Sequence, residues 1–101
     1  MDAKAHLSKA IALNPDYSEA YYELGLLLKK DGDSDQALEH FQNLYKSVKT
    51  PISLGRAAYW AGRSAQDLGR KDLAEKWYAY GAQFQTSFYG QLSAQRLRLN
   101  M

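Results

Sequence analysis

Small and large apolar residues recur along the chain at matched intervals. The stretch AYYELGLLLKKDG (residues 20–32) is echoed by AAYWAGRSAQDLG (residues 57–69), which aligns Gly25 with Gly62 and Gly32 with Gly69. The echo continues beyond each stretch as a small–x3–large–x2–small pattern, found at Ala37, Phe41 and Leu44, at Ala74, Tyr78 and Gly81, and at Ala3, Leu7 and Ala10. Small residues at such spacing let two helices approach closely, and large residues fill the space beside them. The pattern predicts one two-helix unit used repeatedly, with the first copy lacking its first helix.

Turn and capping residues divide the chain into six predicted helices. Gly69 is suited to the left-handed conformation that ends a helix. A final helix is expected to run to about Leu99, with Arg96 and Arg98 near its negative end. The predicted N-terminal caps are Asp16 with Glu19, Asp33 with Gln36, Thr50 before Pro51, and either Thr86 or Ser87. These signals predict an all-α chain of six antiparallel helices and no strand.

A period near 34, with glycine at the eighth position, alanine at the twentieth and an aromatic at the twenty-fourth, resembles the tetratricopeptide repeat over residues 3–51. The resemblance implies a right-handed α-solenoid that acts as a scaffold or binds a protein or peptide. The predicted units are a half repeat at 1–17, a full repeat at 18–52, a divergent repeat at 53–85 and a C-terminal helix at 86–101.

Residues 55–97 carry a second resemblance. The segments AAYWAGR and TSFYGQL are similar to the non-catalytic α-superhelical region of soluble lytic murein transglycosylases. That family's catalytic glutamate, in a Glu-Ser motif, has no counterpart here, so the resemblance implies scaffold without an active site, and a periplasmic location if it is ancestral. A recombined or designed chimera joined near residues 49–53 is the alternative, because residues 1–50 contain no arginine and residues 51–101 contain five.

The composition of the chain argues against several classes of function. The 101 residues are 46% hydrophobic and 24% charged, which is typical of a soluble domain with a modest core. A formal charge of +2 is too small to indicate nucleic-acid binding, and the longest strong apolar run, LGLLL, is too short to cross a bilayer. The N-terminal segment lacks the apolar core of a signal peptide, and the chain has no cysteine for a disulfide or a thiolate metal site.

The sequence offers no pattern for catalysis or for a cofactor. His6 and His40 occupy equivalent positions of adjacent repeats, which are too far apart to share one zinc ion, and we expect both on the surface. Asp31, Asp33 and Asp35 resemble part of a calcium loop, but its twelfth position holds Gln42 rather than glutamate. We therefore expect a protein that is not an enzyme and holds no metal.

A peptide-binding groove is the candidate site. In the resembled repeat, four positions of each first helix face the concave surface. These positions are Glu19, Tyr22, Leu26 and Lys29 in one unit, and Arg56, Tyr59, Arg63 and Gln66 in the next. Tyrosine and arginine are enriched at binding hot spots, so such a groove suits an extended or acidic peptide. The alternative is that both tyrosines are half-buried and the charges are only solvated.

Two further expectations concern exposed apolar surface. An array that starts with a lone second helix leaves Leu7, Ile11 and Leu13 near an uncovered face, which predicts self-association or a swapped helix there. Among the aromatic residues of the C-terminal half, Tyr80 and Tyr89 are expected to be the most exposed.

Overall fold

A computed structural model of the chain describes residues 3–13, 18–84 and 87–99. These ranges form six helices and no strand: α1 (Ala3–Leu13), α2 (Ser18–Lys30), α3 (Ser34–Ser47), α4 (Pro51–Asp67), α5 (Lys71–Ala82) and α6 (Phe88–Leu99). Each helix packs against the next along the chain, and α4 also packs against α6. The molecule is elongated, with principal extents of 42 × 28 × 18 Å. The predicted all-α helical-repeat fold is confirmed.

The helix ends follow most of the predicted capping signals. The Thr50 hydroxyl accepts a hydrogen bond from the Ser53 N–H at 3.2 Å, and Pro51 follows it in the first turn of α4. Gly69 has the predicted positive φ, at +72°, which an L-residue adopts only with strain. Ser87 caps α6, because its hydroxyl accepts from the Gly90 N–H at 3.0 Å. Asp33 is the N-cap residue of α3, as predicted, but its side chain makes no capping hydrogen bond with the helix. The caps predicted at Asp16 and Thr86 lie outside the described residues.

The matched glycines are points of close helix–helix contact. A Cβ built on Gly25 would lie 2.5 Å from the Phe41 ring, and one built on Gly62 would lie 2.6 Å from the Tyr78 ring. Phe41 and Tyr78 occupy the same position of successive repeats, 37 residues apart, and both are fully buried. The two complete helix pairs, α2–α3 and α4–α5, therefore share one packing register, as the sequence repeat predicted.

Replacing Gly62 with alanine tests this close approach. Alanine favours a helix over glycine by about 1 kcal/mol, but overpacking a tight core costs about 1–3 kcal/mol. Because the Tyr78 ring has no space to withdraw, we expect the urea midpoint of G62A to fall. The matched variant is the double substitution Gly62→Ala with Tyr78→Leu, in which much of the alanine's cost should disappear. If G62A is as stable as the parent protein, the contact is not tight.

Aromatic side chains connect neighbouring repeats, and this corrects the expected exposure of Tyr80 and Tyr89. Tyr80 is half-buried against Tyr45, with ring centroids 6.0 Å apart, and Tyr89 is half-buried against Tyr59 at 5.6 Å. The exposed aromatic is instead Phe88, at 66%. Tyr89 turns inward because α6 packs onto α4, a contact that periodicity within α6 alone does not specify.

Candidate functional site

The two tyrosines of the predicted groove are buried. Tyr22 is 1% exposed and Tyr59 is 5% exposed, so neither ring presents a face to a ligand, and burial is more complete than either sequence-based alternative proposed. The Tyr22 hydroxyl donates a hydrogen bond to the Ser53 carbonyl at 2.8 Å, which ties α2 to the first turn of α4. Burial raises the pKa of Tyr22 to about 12, against the opposing effect of the nearby Arg56 charge. Both tyrosines therefore form the base of the predicted site rather than its surface.

Four charged residues bridge α2 and α4 above that base. An Arg56 guanidinium nitrogen lies 2.8 Å from Glu19 Oε1, and Lys29 Nζ lies 2.9 Å from Asp67 Oδ2. Ser34 also donates to the same Asp67 oxygen, at 3.3 Å. Three predicted groove residues, Glu19, Lys29 and Arg56, are thus occupied in holding adjacent helices together.

Arg56 is fixed further by aromatic rings from both of its neighbouring helices. Its guanidinium carbon lies 3.9 Å from the centre of the Tyr22 ring and 5.8 Å from that of Tyr89. A guanidinium over a tyrosine ring is attracted by the negative face of the ring. Arg56 therefore joins α2, α4 and α6 in one contact network.

Arg63 lies about two helical turns beyond Arg56 on α4 and is half-buried. Its guanidinium donates a hydrogen bond to the Tyr59 hydroxyl at 2.8 Å and lies within 6 Å of the Tyr59 and Trp60 ring centres. Within the described ranges, Arg63 has no carboxylate partner. The fold thus holds this guanidinium in place with its charge unmatched.

Gln66 supports the buried Tyr78. The Tyr78 hydroxyl donates to Gln66 Oε1 at 2.6 Å, and the tyrosine itself is fully buried. Burial raises the pKa of Tyr78 to about 12, while the Arg96 and Arg63 charges act in the opposite direction. The charges of Arg63 on α4 and Arg96 on α6 thus both act on the Tyr78 hydroxyl.

Leu26 has two sets of neighbours. It is partly buried against the core cluster that includes Tyr22 and Tyr59, and it also lines a cleft between α1 and α2, together with Leu7 and Leu27. The other seven predicted positions lie on α2 and α4. Because Tyr22 and Tyr59 are buried, the eight positions do not form one surface that is open to a ligand.

Three residues of the same region were not predicted as site residues. Trp60 lies beside Tyr59 and 6.3 Å from the Tyr89 ring, and Arg96 follows Tyr89 by seven residues on α6. A spacing of seven places Tyr89 and Arg96 on one helical stripe, a signal that was available in the sequence. We call the surface formed by these three residues together with Arg56 and Arg63 the α4–α6 face.

His40 has a structural role instead of the expected surface position. It is half-buried, its Nε2 lies 2.7 Å from the Tyr21 carbonyl oxygen, and its ring stacks on Tyr21 at 5.8 Å. His6 is exposed, as expected. Across the described residues, no three His, Asp or Glu side chains are grouped so that they could hold a metal ion. None of the helices in those ranges combines the length and apolar character needed to span a bilayer.

Comparison with protein families identifies one repeat. Residues 6–39 match the family model described as tetratricopeptide repeat, which covers 34 of the 101 residues, from α1 into α3. Neither the comparison with curated proteins nor that with solved structures gave a match. The match supports a tetratricopeptide repeat within the predicted range 3–51. Such repeats are typically non-catalytic modules that mediate protein–protein contacts.

The interpretation of the C-terminal half stays a prediction. The family match ends at residue 39, so it does not reach residues 55–97, for which the transglycosylase resemblance was predicted. The chimera alternative, the predicted unit boundaries and the periplasmic location are likewise untested. The structure adds that α4 begins at Pro51, two residues before the predicted boundary of the third unit.

Proposed function

We propose that this protein is a non-catalytic helical-repeat scaffold that binds an acidic, extended segment of a partner protein on the α4–α6 face. The observation that carries the proposal is Arg63, whose guanidinium is held by the Tyr59 hydroxyl at 2.8 Å and has no carboxylate partner among the described residues. A side chain that is already held loses little conformational entropy when it binds, which favours affinity.

The charge balance of this face supports an anionic partner. Arg63 and Arg96 are both half-buried, and neither has an ion-pair partner in the described ranges. Asp67, whose charge also acts on Tyr78, is already paired with Lys29 at 2.9 Å. Arginine binds carboxylates through two parallel hydrogen bonds, so a pair of free guanidinium groups suits aspartate or glutamate side chains.

The other unpaired polar groups of the α4–α6 face are also hydrogen-bond donors. Arg56 Nε and Trp60 Nε1 are buried without an acceptor among the described residues. Every unmatched group that we find on the face is therefore a donor. Arg56 Nε and Trp60 Nε1 are themselves out of a partner's reach. The half-buried guanidinium groups of Arg63 and Arg96 are therefore the groups that would attract a segment rich in carboxylates and repel a basic one.

Fluorescence anisotropy with labelled peptides tests the proposal. The probe is a twelve-residue peptide of alternating Glu and Ser with one Tyr, and the control is the same peptide with Gln in place of Glu. We expect the acidic peptide to bind and the Gln peptide not to bind. The Kd for the acidic peptide should rise by at least about tenfold in Arg63→Gln or Arg96→Gln, because each removes one charge-assisted contact.

Arg98→Gln is the matched control, because Arg98 lies on α6 but is exposed and two residues away from the Arg96 stripe. It should leave the Kd within about twofold, while circular dichroism verifies that every variant is folded. The proposal is wrong if the acidic and Gln peptides bind equally, or if Arg98→Gln weakens binding as much as Arg63→Gln does.

A further inference from the structure

A second surface, separate from the α4–α6 face, lies between α1 and α2. This α1–α2 cleft has a volume of about 430 Å³ and is lined by His6, Leu7, Glu23, Leu26, Leu27 and Lys30. Its floor is apolar, formed by three leucines, and charged residues stand at its rim. Such a groove is suited to the apolar face of a helix.

The repeat itself shows which kind of helix fits. Each lining residue has an equivalent one repeat later, 34 residues on for α1 and 37 residues on for α2. These equivalents are His40, Phe41, Trp60, Arg63, Ser64 and Asp67. Helix α2 contacts the part of this equivalent surface formed by His40, Phe41 and Asp67. Gly25 of α2 lies against Phe41 and His40, and Lys29 of α2 pairs with Asp67 at 2.9 Å. The α1–α2 cleft therefore has the same construction as a surface that already receives a helix.

The charges at the rim of the cleft differ from those of that equivalent surface. Where α4 presents Asp67 to the end of α2, the cleft presents Lys30. Towards the start of α2 the cleft presents Glu23, an exposed carboxylate, whereas Glu19 is already paired with Arg56. A helix lying on the cleft as α2 lies on α4 must then carry a basic residue near its start and an acidic residue near its end.

We propose that the α1–α2 cleft binds an amphipathic helix of a partner protein with this charge order: basic in the first turn, small near the middle and acidic in the last turn. The small residue corresponds to Gly25, and it lies over Leu7 as Gly25 lies over Phe41. Charge pairs at the rim of an interface mainly set partner choice and orientation, while the apolar contact supplies affinity.

A second copy of the chain does not offer such a helix. Of the six described helices, α2 and α3 carry acids in the first turn and lysines in the last turn, which is the opposite order. Helix α6 ends in two arginines and has no acid, α1 also has no acid, and α5 has both of its acids in its first half. Only α4 has an arginine followed by a small residue and an acid, at Arg56, Gly62 and Asp67, and it is buried within its own array.

Two stapled peptides test the proposal. One carries the α2 sequence SEAYYELGLLLKK with an i,i+7 staple joining positions 23 and 30, and the other adds Glu19→Arg and Lys29→Glu. The staple is needed because an isolated thirteen-residue helix is marginal in water. We expect the charge-reversed peptide to bind the intact protein with a Kd at least tenfold lower than that of the native-charge peptide.

Protein variants locate the binding. Lys30→Glu should reverse the preference, so that the native-charge peptide binds more tightly than the charge-reversed one. Lys46→Glu, at an exposed position on α3, should leave the preference unchanged. Arg63→Gln should also leave it unchanged, so failure here is distinct from failure of the proposed acidic-segment site. Equal binding of both peptides, or an unchanged preference in Lys30→Glu, overturns the proposal.

Sedimentation velocity of the protein alone tests whether a second copy of the chain occupies the α1–α2 cleft instead. We expect a single species from 10 to 500 µM. A concentration-dependent dimer that is lost in Leu7→Asp but kept in Lys46→Glu would assign the cleft to a second copy of this chain, as the earlier prediction of self-association had it, and would overturn the partner helix.

Discussion

Replacing Phe41 with alanine is expected to lower the free energy of unfolding by about 3–5 kcal/mol, because a fully buried aromatic ring leaves a cavity that its neighbours do not fill. Phe41 is 0% exposed, and it contacts the Gly25 backbone position, His40 and Trp60, which belong to three different helices. A domain of this size has only about 5–15 kcal/mol of stability in total. The variant should therefore be partly unfolded near 37 °C.

Phe88 provides the matched control for this substitution. It is the same residue type within a helix, but it is 66% exposed, so Phe88→Ala should cost less than about 1 kcal/mol. Urea unfolding followed by circular dichroism gives both values. Similar losses in the two variants would show that the core is not centred where the structure has it.

The second large effect is a loss of stability at alkaline pH. Burial raises the pKa of both Tyr22 and Tyr78 to about 12, while in the unfolded chain each hydroxyl ionises near 10. Below pH 10 the hydroxyls are neutral in both states, and their contribution to stability is fully present. Between pH 10 and 12 the unfolded chain releases protons that the folded protein retains, so the free energy of unfolding falls as the pH rises. The loss is about 2 kcal/mol for each tyrosine by pH 12.

Phenylalanine variants isolate this contribution from the deprotonation of lysine, which is common to all forms of the protein. At pH 9, Tyr22→Phe and Tyr78→Phe should each be less stable by about 1 kcal/mol, the usual value of one hydrogen bond. From pH 9 to 11.5 their stability should decrease less steeply than that of the parent protein. Urea midpoints at the two pH values provide the comparison. Parallel pH dependence in the parent and in the double variant would contradict the assignment.

The fold could be predicted from the sequence because its determinants are local or repeated. The spacing of Gly25 and Gly62 fixes where helices approach, and Thr50, Pro51 and Gly69 fix helix ends through contacts within a few residues. Each of these depends on one helix or on one pair of helices. Asp33 occupies the predicted N-cap position without its capping hydrogen bond, because that bond requires a side-chain rotamer as well as a spacing, and the sequence does not specify the rotamer.

The candidate site could be predicted only in part. The helical stripe places Arg56 and Arg63 on one side of α4, and their role in binding stays a prediction, but the stripe could not show that Tyr22 and Tyr59 are buried. Burial of Tyr59 depends on Tyr89, which comes from α6, some thirty residues away in the chain. The pairing of Lys29 with Asp67 likewise depends on how two repeats are stacked. Contacts between repeats decide which polar residues are free, and a single-helix pattern contains no information about them.

The hydrogen bond from Tyr22 to Ser53 has a consequence for sequence variation. The acceptor is a main-chain carbonyl oxygen, which every amino acid provides, so position 53 can change identity without losing the tether. Position 22 has no such freedom, since phenylalanine would fill the space but cannot donate the hydrogen bond. Tyr22 is thus one of several links between α2 and α4, alongside the Glu19–Arg56 and Lys29–Asp67 pairs, and it is the one whose acceptor sequence drift cannot remove.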